Sequence, residues 1–84
     1  MRLLLQQRPD GHEAPRFVQI QLQPDLLGGW ELLRESGQTG GRSTLRRALY
    51  PDQASALAAL EKERDAHLKK GFLLMFAQGA DAPR

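Results

Sequence analysis

The clearest structural signal in this chain is the segment at residues 16–23, which reads RFVQIQLQ. Val18, Ile20 and Leu22 alternate with glutamines, so an extended backbone would place the apolar side chains on one face and the polar ones on the other. This period of two is typical of a strand that is buried on one face only. We therefore predict a half-buried strand here and interpret the flanking segments from it.

The segment before this strand is also predicted to be extended. Residues 2–7 have apolar content compatible with a strand, and the turn signal Pro9-Asp10-Gly11 ends them. The residues from there to Pro15 are predicted to form a loop.

Two more strands are predicted after residue 23. Pro24-Asp25 and Gly28-Gly29 form a connection like that of a hairpin. In the strand at 30–35, Trp30 and Leu32 share a face. In the strand at 44–50, alternation places Leu45 and Leu49 on one face and Arg46 on the other.

Between these two strands, residues 36–43 contain Gly37, Gly40 and Gly41. This composition predicts a loop whose glycines adopt φ angles that other residues avoid.

The period changes at Pro51, after which residues 53–70 are predicted to form a helix. The interior is rich in alanine and contains no glycine or proline, and Leu57, Leu60 and Leu68 form one stripe with Arg64 at 3.6-residue spacing. Asp52 suits the N-terminal end of a helix, and the KKG sequence at 69–71 suits the C-terminal end. These elements predict an α+β fold, with a small antiparallel sheet of four to five strands packed against one long helix.

The apolar run FLLMFA at 72–77 has two interpretations. It is either a buried final strand or a segment that packs on another copy of the chain. We predict a single domain at residues 1–77, followed by a flexible tail at 78–84.

Composition limits the class of protein. The 84 residues suffice for one domain, and the absence of cysteine excludes disulfides and thiolate metal sites. The net charge of +2 permits contact with nucleic acid without requiring it. The apolar runs are too short to span a membrane, and the first residues lack the apolar length of a signal peptide, so we expect a cytoplasmic protein.

Several segments resemble the WGR domain family, and the resemblance extends from about Arg2 to Phe72. They are Arg16-Phe17 through Leu22, Gly29-Trp30, residues 33–40, Tyr50-Pro51 and an Ala/Leu helix that ends in Lys69-Lys70-Gly71-Phe72. WGR domains occur in poly(ADP-ribose) polymerases, in bacterial molybdate-metabolism regulators and as short free-standing bacterial proteins. The last group is the most similar in length and loop pattern. The resemblance implies the fold given above and a non-enzymatic, DNA-binding module.

The residues that give the family its name differ here. Aligned on the glycines, Trp-Gly-Arg-Ile-Gly becomes Ser36-Gly37-Gln38-Thr39-Gly40. The family's aromatic ring offers a stacking face and its arginine offers a charged fork for phosphate. Ser36 lacks such a face, and Gln38 forms hydrogen bonds without carrying a charge. We therefore expect weakened nucleic-acid contacts, through the candidate residues Arg34, Ser36, Gln38, Gly40, Gly41, Arg42, Arg46 and Arg47.

Two further residues, Trp30 and His67, are interpreted as structural. Trp30 is expected in the core and His67 on the surface of the helix, partly exposed. No arrangement of nucleophile, base or paired carboxylates predicts an enzyme, and we expect no metal or other cofactor and no small-molecule substrate. The alternative function is a protein-interaction or homodimerisation module that retains the WGR fold and uses the segment Phe72–Phe76.

Overall fold

The computed structural model of the chain describes residues 1–9, Gly11 and 13–79. It contains five strands and one helix, in the order β1 (Arg2–Gln6), β2 (Arg16–Pro24), β3 (Trp30–Gln38), β4 (Ser43–Tyr50), α1 (Gln53–Lys69) and β5 (Leu73–Gln78).

All five strands belong to one antiparallel sheet with the order β4-β3-β2-β1-β5. The alternating strand β2 lies at its centre, where Ile20 is paired with Leu3 of β1 and with Arg34 of β3. Strands β4 and β5 form the two edges. The register confirms the predicted alternation, because Leu32 and Arg34 lie on the same face as Trp30.

One face of the sheet and one face of α1 form the core. Its buried members from the sheet are Leu3, Leu5, Val18, Ile20, Leu22 and Leu32, and those from the helix are Ala56 and Leu60. A fully buried leucine contributes about 1.5–3 kcal/mol, so this small cluster is the main source of stability in a chain without cysteine. Trp30, which was expected in the core, is half-buried and packs against it. The predicted α+β architecture of a sheet and one helix is confirmed.

The predicted stripe of α1 is confirmed at Leu60, which is buried, and at Leu57, which packs against the core, but it is wrong at Leu68. The residues that the helix buries are Ala56, Leu60 and His67, whereas Leu68 is 41 % exposed. His67 was expected on the surface, yet only 6 % of it is accessible to solvent. Its ring packs edge-on against the Phe72 ring, with 5.1 Å between centroids. Its Nδ1 lies 2.8 Å from the carbonyl oxygen of Glu63, and since a carbonyl only accepts, Nδ1 donates in this bond. Burial of this histidine is favoured because its Nδ1 is satisfied within the helix.

The helix ends agree with the prediction. The Asp52 carboxylate accepts hydrogen bonds from the Ser55 backbone N–H at 2.7 Å and from the Ser55 hydroxyl at 2.8 Å. These bonds, the backbone one first, lower the pKa of Asp52 from its usual value. At the other end, Gly71 follows the helix with a φ of +92°.

The predicted loop at residues 36–43 is shorter in the structure. Strand β3 continues through Ser36, Gly37 and Gln38, because these residues pair with β2 on one side and, up to Gly37, with β4 on the other. The connection is reduced to residues 39–42. Of the three glycines expected to have unusual φ angles, Gly40 alone has a positive φ, at +77°. Gly37 has a different role, since a Cβ there would lie 2.8 Å from the Cα of Ser43.

The apolar run near the end of the chain forms the edge strand β5, which pairs with β1. Leu74 and Ala77 pack against the core, whereas Met75 and Phe76 are 55 % and 41 % exposed. The strand thus combines a buried side with an exposed one. Gln78, which the prediction assigned to the tail, lies in β5, and residues 80–84 of that tail are outside the described part of the chain.

Candidate nucleic-acid interface

A groove of about 450 Å³ separates α1 from the outer strands β3 and β4. Leu32, Ala48 and Tyr50 lie along the strand side of this groove, and Ala59 and Ala66 lie along the helix side. Three of these five residues are alanines, whose single methyl groups cannot fill the space between helix and sheet. The groove follows directly from small side chains at the helix positions that face β4.

Two arginines meet on the strand side of the groove. Arg34 of β3 and Arg46 of β4 are directly paired in the strand register, so both side chains project from the face that α1 covers. Like charges at paired positions repel each other, and that repulsion falls when an anion lies between or beside them. The pair is therefore arranged in a way that favours a negatively charged ligand.

Helix α1 adds one cation and one anion to this groove. Lys62 lines it together with Glu63, which is the single acidic residue among the described lining residues. Arg34 Nη1 lies 3.5 Å from Glu63 Oε1, a long contact for an ion pair. The Nε atom of Arg34 is buried and has no hydrogen-bond partner. Arg34 thus keeps unused donor capacity beside a single, partly exposed carboxylate.

The residues that replace the family's signature have structural contacts of their own. Gln38 Nε2 donates to the carbonyl oxygen of Ala14 at 2.9 Å, and the Thr39 N–H donates to the carbonyl oxygen of Pro15 at 3.0 Å. The turn after β3 is thereby fastened to the loop before β2. Ser36 is half-buried on the same face as Arg34, between Val18 and Thr44 in the register.

The eight predicted site residues do not form one cluster. Arg34, Ser36 and Arg46 share the helix-covered face, and Gly40, Gly41 and Arg42 lie in the turn that follows β3. Arg47 borders the groove at the β4 edge, but its side chain projects from the opposite face of the sheet, because it is adjacent to Arg46 in a strand. There its Nε is 3.4 Å from Glu31 Oε1.

Sequence reasoning missed Lys62 and Tyr50 as neighbours of these arginines. A usable signal was present in the helix, where Ala59, Lys62 and Ala66 recur with helical spacing and so share one face. This spacing does not say which strands the helix face covers, so the association could not be inferred from it.

No groups of side chains suited to a metal ion occur within residues 1–9, 11 and 13–79. In the same part of the chain, no helix is long and apolar enough to cross a membrane. Comparison of the sequence with protein-family models and with curated proteins, and of the chain with solved structures, finds no match.

Proposed function

We propose that this protein is a non-catalytic module that binds the phosphate backbone of nucleic acid, DNA in the first instance, in the groove between α1, β3 and β4. The observation that carries this proposal is the convergence of cations from three separate elements. Arg34 comes from β3, Arg46 from β4 and Lys62 from α1, and all three line one groove with a single carboxylate. Phosphate contacts of this kind position a protein on nucleic acid without reading its sequence.

The resemblance of the sequence to WGR domains supports the same ligand class. At Ser36 and Gln38 this chain lacks the aromatic ring and the arginine that the family uses to contact its ligand, so its binding would rely on other contacts. Without the aromatic ring there is no stacking contribution, which is worth about 1–3 kcal/mol per base where it has been measured by substitution. Binding then depends on charge.

Charge-driven binding gives a quantitative signature. If the three cations neutralise up to three phosphates, the slope of log K against log salt is no steeper than about −3 on duplex DNA. Affinity should fall in the non-specific range, with Kd of about 10⁻⁴ to 10⁻⁶ M at physiological salt.

Fluorescence anisotropy with intact and nicked duplex DNA at low salt tests the proposal. We expect saturable binding that Arg46→Gln and Lys62→Gln each weaken. Arg8→Gln serves as the matched control, because Arg8 is an exposed cation that does not line this groove. The proposal fails if no binding occurs at concentrations up to about 100 μM. It also fails if the two groove variants weaken binding no more than the control does.

A second candidate function is homodimerisation through the segment Phe72–Phe76. The exposed side chains of Leu73, Met75 and Phe76 favour it, although Phe72 itself is occupied by its packing against His67. Phe76 is also partly covered, since the Arg2 guanidinium lies 5.3 Å from its ring centroid. Light scattering decides this candidate, because a strict monomer at high concentration contradicts it, whereas a dimer lost on Met75→Gln supports it.

A further inference from the structure

The two edges of the sheet differ in how well they are protected. On the β5 side, the pairing with β1 is interrupted by a register shift between Leu4 and Leu5. Strand β4 pairs with β3 from Ser43 to Tyr50 without any shift, and its outer edge has no partner among the described strands. Long regular edges accept a further strand, and a bulge is one of the devices that prevent this. The β4 edge is the one that remains open to an added strand.

The side chains of β4 on the uncovered face of the sheet give this edge a chemical pattern. Leu45 and Leu49 are 66 % and 60 % exposed, and Arg47 stands between them with 62 % of its side chain exposed. An added strand with side chains on this face would therefore meet an apolar, a cationic and an apolar position in succession.

An apolar hollow of about 680 Å³ lies beside Leu49, where the turn between β2 and β3 carries Leu26 and Leu27 fully exposed. This turn is held in place by Asp25, whose Oδ1 accepts from the N–H groups of Leu27 at 2.8 Å and of Gly29 at 2.9 Å. Because the turn is fixed by hydrogen bonds, the leucines are presented to solvent in a defined position. On the β3 side of Leu49, they extend the exposed apolar surface of this face of the sheet.

We propose that β4 binds an extended peptide as a sixth strand, in which an acidic residue lies opposite Arg47 and apolar residues lie opposite Leu45 and Leu49. Backbone hydrogen bonds along the edge would supply affinity, and the alternating side chains would supply selectivity. The apolar residue opposite Leu49 packs against the exposed side chain of Leu49 at the outer edge of the sheet. The acidic residue complements Arg47, whose Nε already lies 3.4 Å from Glu31 Oε1 and whose side chain is still 62 % exposed, so a peptide carboxylate would join this contact from the outer side of the strand.

Charge decides between such a peptide and a second copy of this chain. If two β4 strands pair antiparallel so that Leu45 lies opposite Leu49 of the other copy, symmetry places Arg47 opposite Arg47. Like charges at directly paired positions are destabilising. A second copy therefore fits the two apolar positions and conflicts with the central one, whereas an acidic peptide fits all three.

The test is an NMR titration of the ¹⁵N-labelled protein with a capped synthetic peptide of the sequence Thr-Leu-Thr-Glu-Thr-Leu-Thr. We expect amide shifts centred on residues 43–50, with smaller shifts at their β3 partners, residues 30–37. A peptide with lysine in place of the glutamate should bind about fivefold more weakly. The Arg47→Glu variant should reverse this preference, and Arg16→Glu, an exposed arginine of β2 outside this edge, should leave it unchanged.

Several results would overturn the proposal. They are the absence of shifts at millimolar peptide, shifts centred on β5, or equal binding of the glutamate and lysine peptides by the unaltered protein. Sedimentation that shows a dimer, which Leu45→Thr dissociates, would assign the edge to a second copy. The comparison of the two peptides needs no variant, so the proposal is tested even if Arg47→Glu fails to fold, which circular dichroism would reveal.

Discussion

Replacement of Gly37 by alanine should destabilise the protein for a steric reason and not for a conformational one. Gly37 lies within β3, paired with Phe17 on one side and with Ser43 on the other, and its φ is not positive. Alanine could therefore adopt the backbone conformation without strain. The added Cβ, however, would lie 2.8 Å from the Cα of Ser43 and even closer to the backbone oxygen of Arg42. Both obstacles are backbone atoms, which cannot rotate away.

The expected loss in the free energy of unfolding is about 1–3 kcal/mol, the usual cost of added atoms in a closely packed site. Two neighbouring glycines separate this steric cost from other effects. Gly40 has a φ of +77° and open space around its Cα, so Gly40→Ala should cost about 1–2 kcal/mol through backbone strain alone. Gly41 has neither a positive φ nor a contact closer than 3.4 Å, so Gly41→Ala should change stability by less than about 0.5 kcal/mol.

Urea denaturation followed by Trp30 fluorescence and by circular dichroism measures all three variants. The reasoning is refuted if Gly37→Ala is as stable as the unaltered protein. It is also refuted if Gly41→Ala loses as much stability as Gly37→Ala, because the loss would then reflect a general intolerance of the turn. Since a domain of 84 residues is only marginally stable, a loss near the upper limit should also raise the unfolded fraction measurably.

Four further predictions concern the helix and the groove. His67→Ala should lower the free energy of unfolding by about 2 kcal/mol in the same urea assay, because it empties a buried site against Phe72; a loss near zero would contradict the burial. The pKa of Asp52 is lowered in the folded state, so this carboxylate should stabilise the fold fully above its unfolded pKa and lose that effect as the pH falls through its folded pKa. The melting temperature of Asp52→Ala should therefore lie below that of the unaltered protein at neutral pH and converge with it in acid. The double variant Arg46→Gln with Lys62→Gln should make the salt slope of DNA binding shallower by about 2, measured by anisotropy over a salt series; an unchanged slope would remove the groove from the interface. Ser36→Trp with Gln38→Arg should strengthen DNA binding if this face contacts the ligand, and no change would indicate that it does not.

The fold was predictable from sequence because its main elements carry periodic patterns. Alternation in β2 identified the buried face correctly, and the cap at Asp52 located the start of α1. The face of α1 was harder to identify, because its buried stripe contains Ala56 and His67 in place of strong hydrophobic residues. A histidine can be buried when a partner for its ring nitrogen is at hand, and the carbonyl oxygen of Glu63 is such a partner.

The candidate site was less predictable for a related reason. The composition of the glycine-rich segment at residues 36–43 predicted a loop, yet cross-strand pairing extends β3 through Gly37. Tertiary pairing overrides the low strand preference of glycine when both neighbouring strands are present. The partnership of Arg34 and Arg46 could be inferred from alternation once the register was known. Their association with Lys62 depends on how the helix crosses the sheet, which no local pattern specifies.

The segment Ser36-Gly37-Gln38 shows why any binding by this protein should depend on charge. Gly37 is needed for the close approach of the turn backbone, and the amide of Gln38 is bonded to Ala14, so two of the three positions serve the fold. Ser36 alone is free to serve a ligand, and its side chain is too short to extend far from the strand. Arg34 lies two residues away on the same face, which is about 7 Å along the strand. A phosphate near Ser36 would therefore find its nearest guanidinium at Arg34 rather than in the segment itself. The strength of binding must then follow the cations of the groove, and substitutions there should matter more than substitutions within residues 36–38.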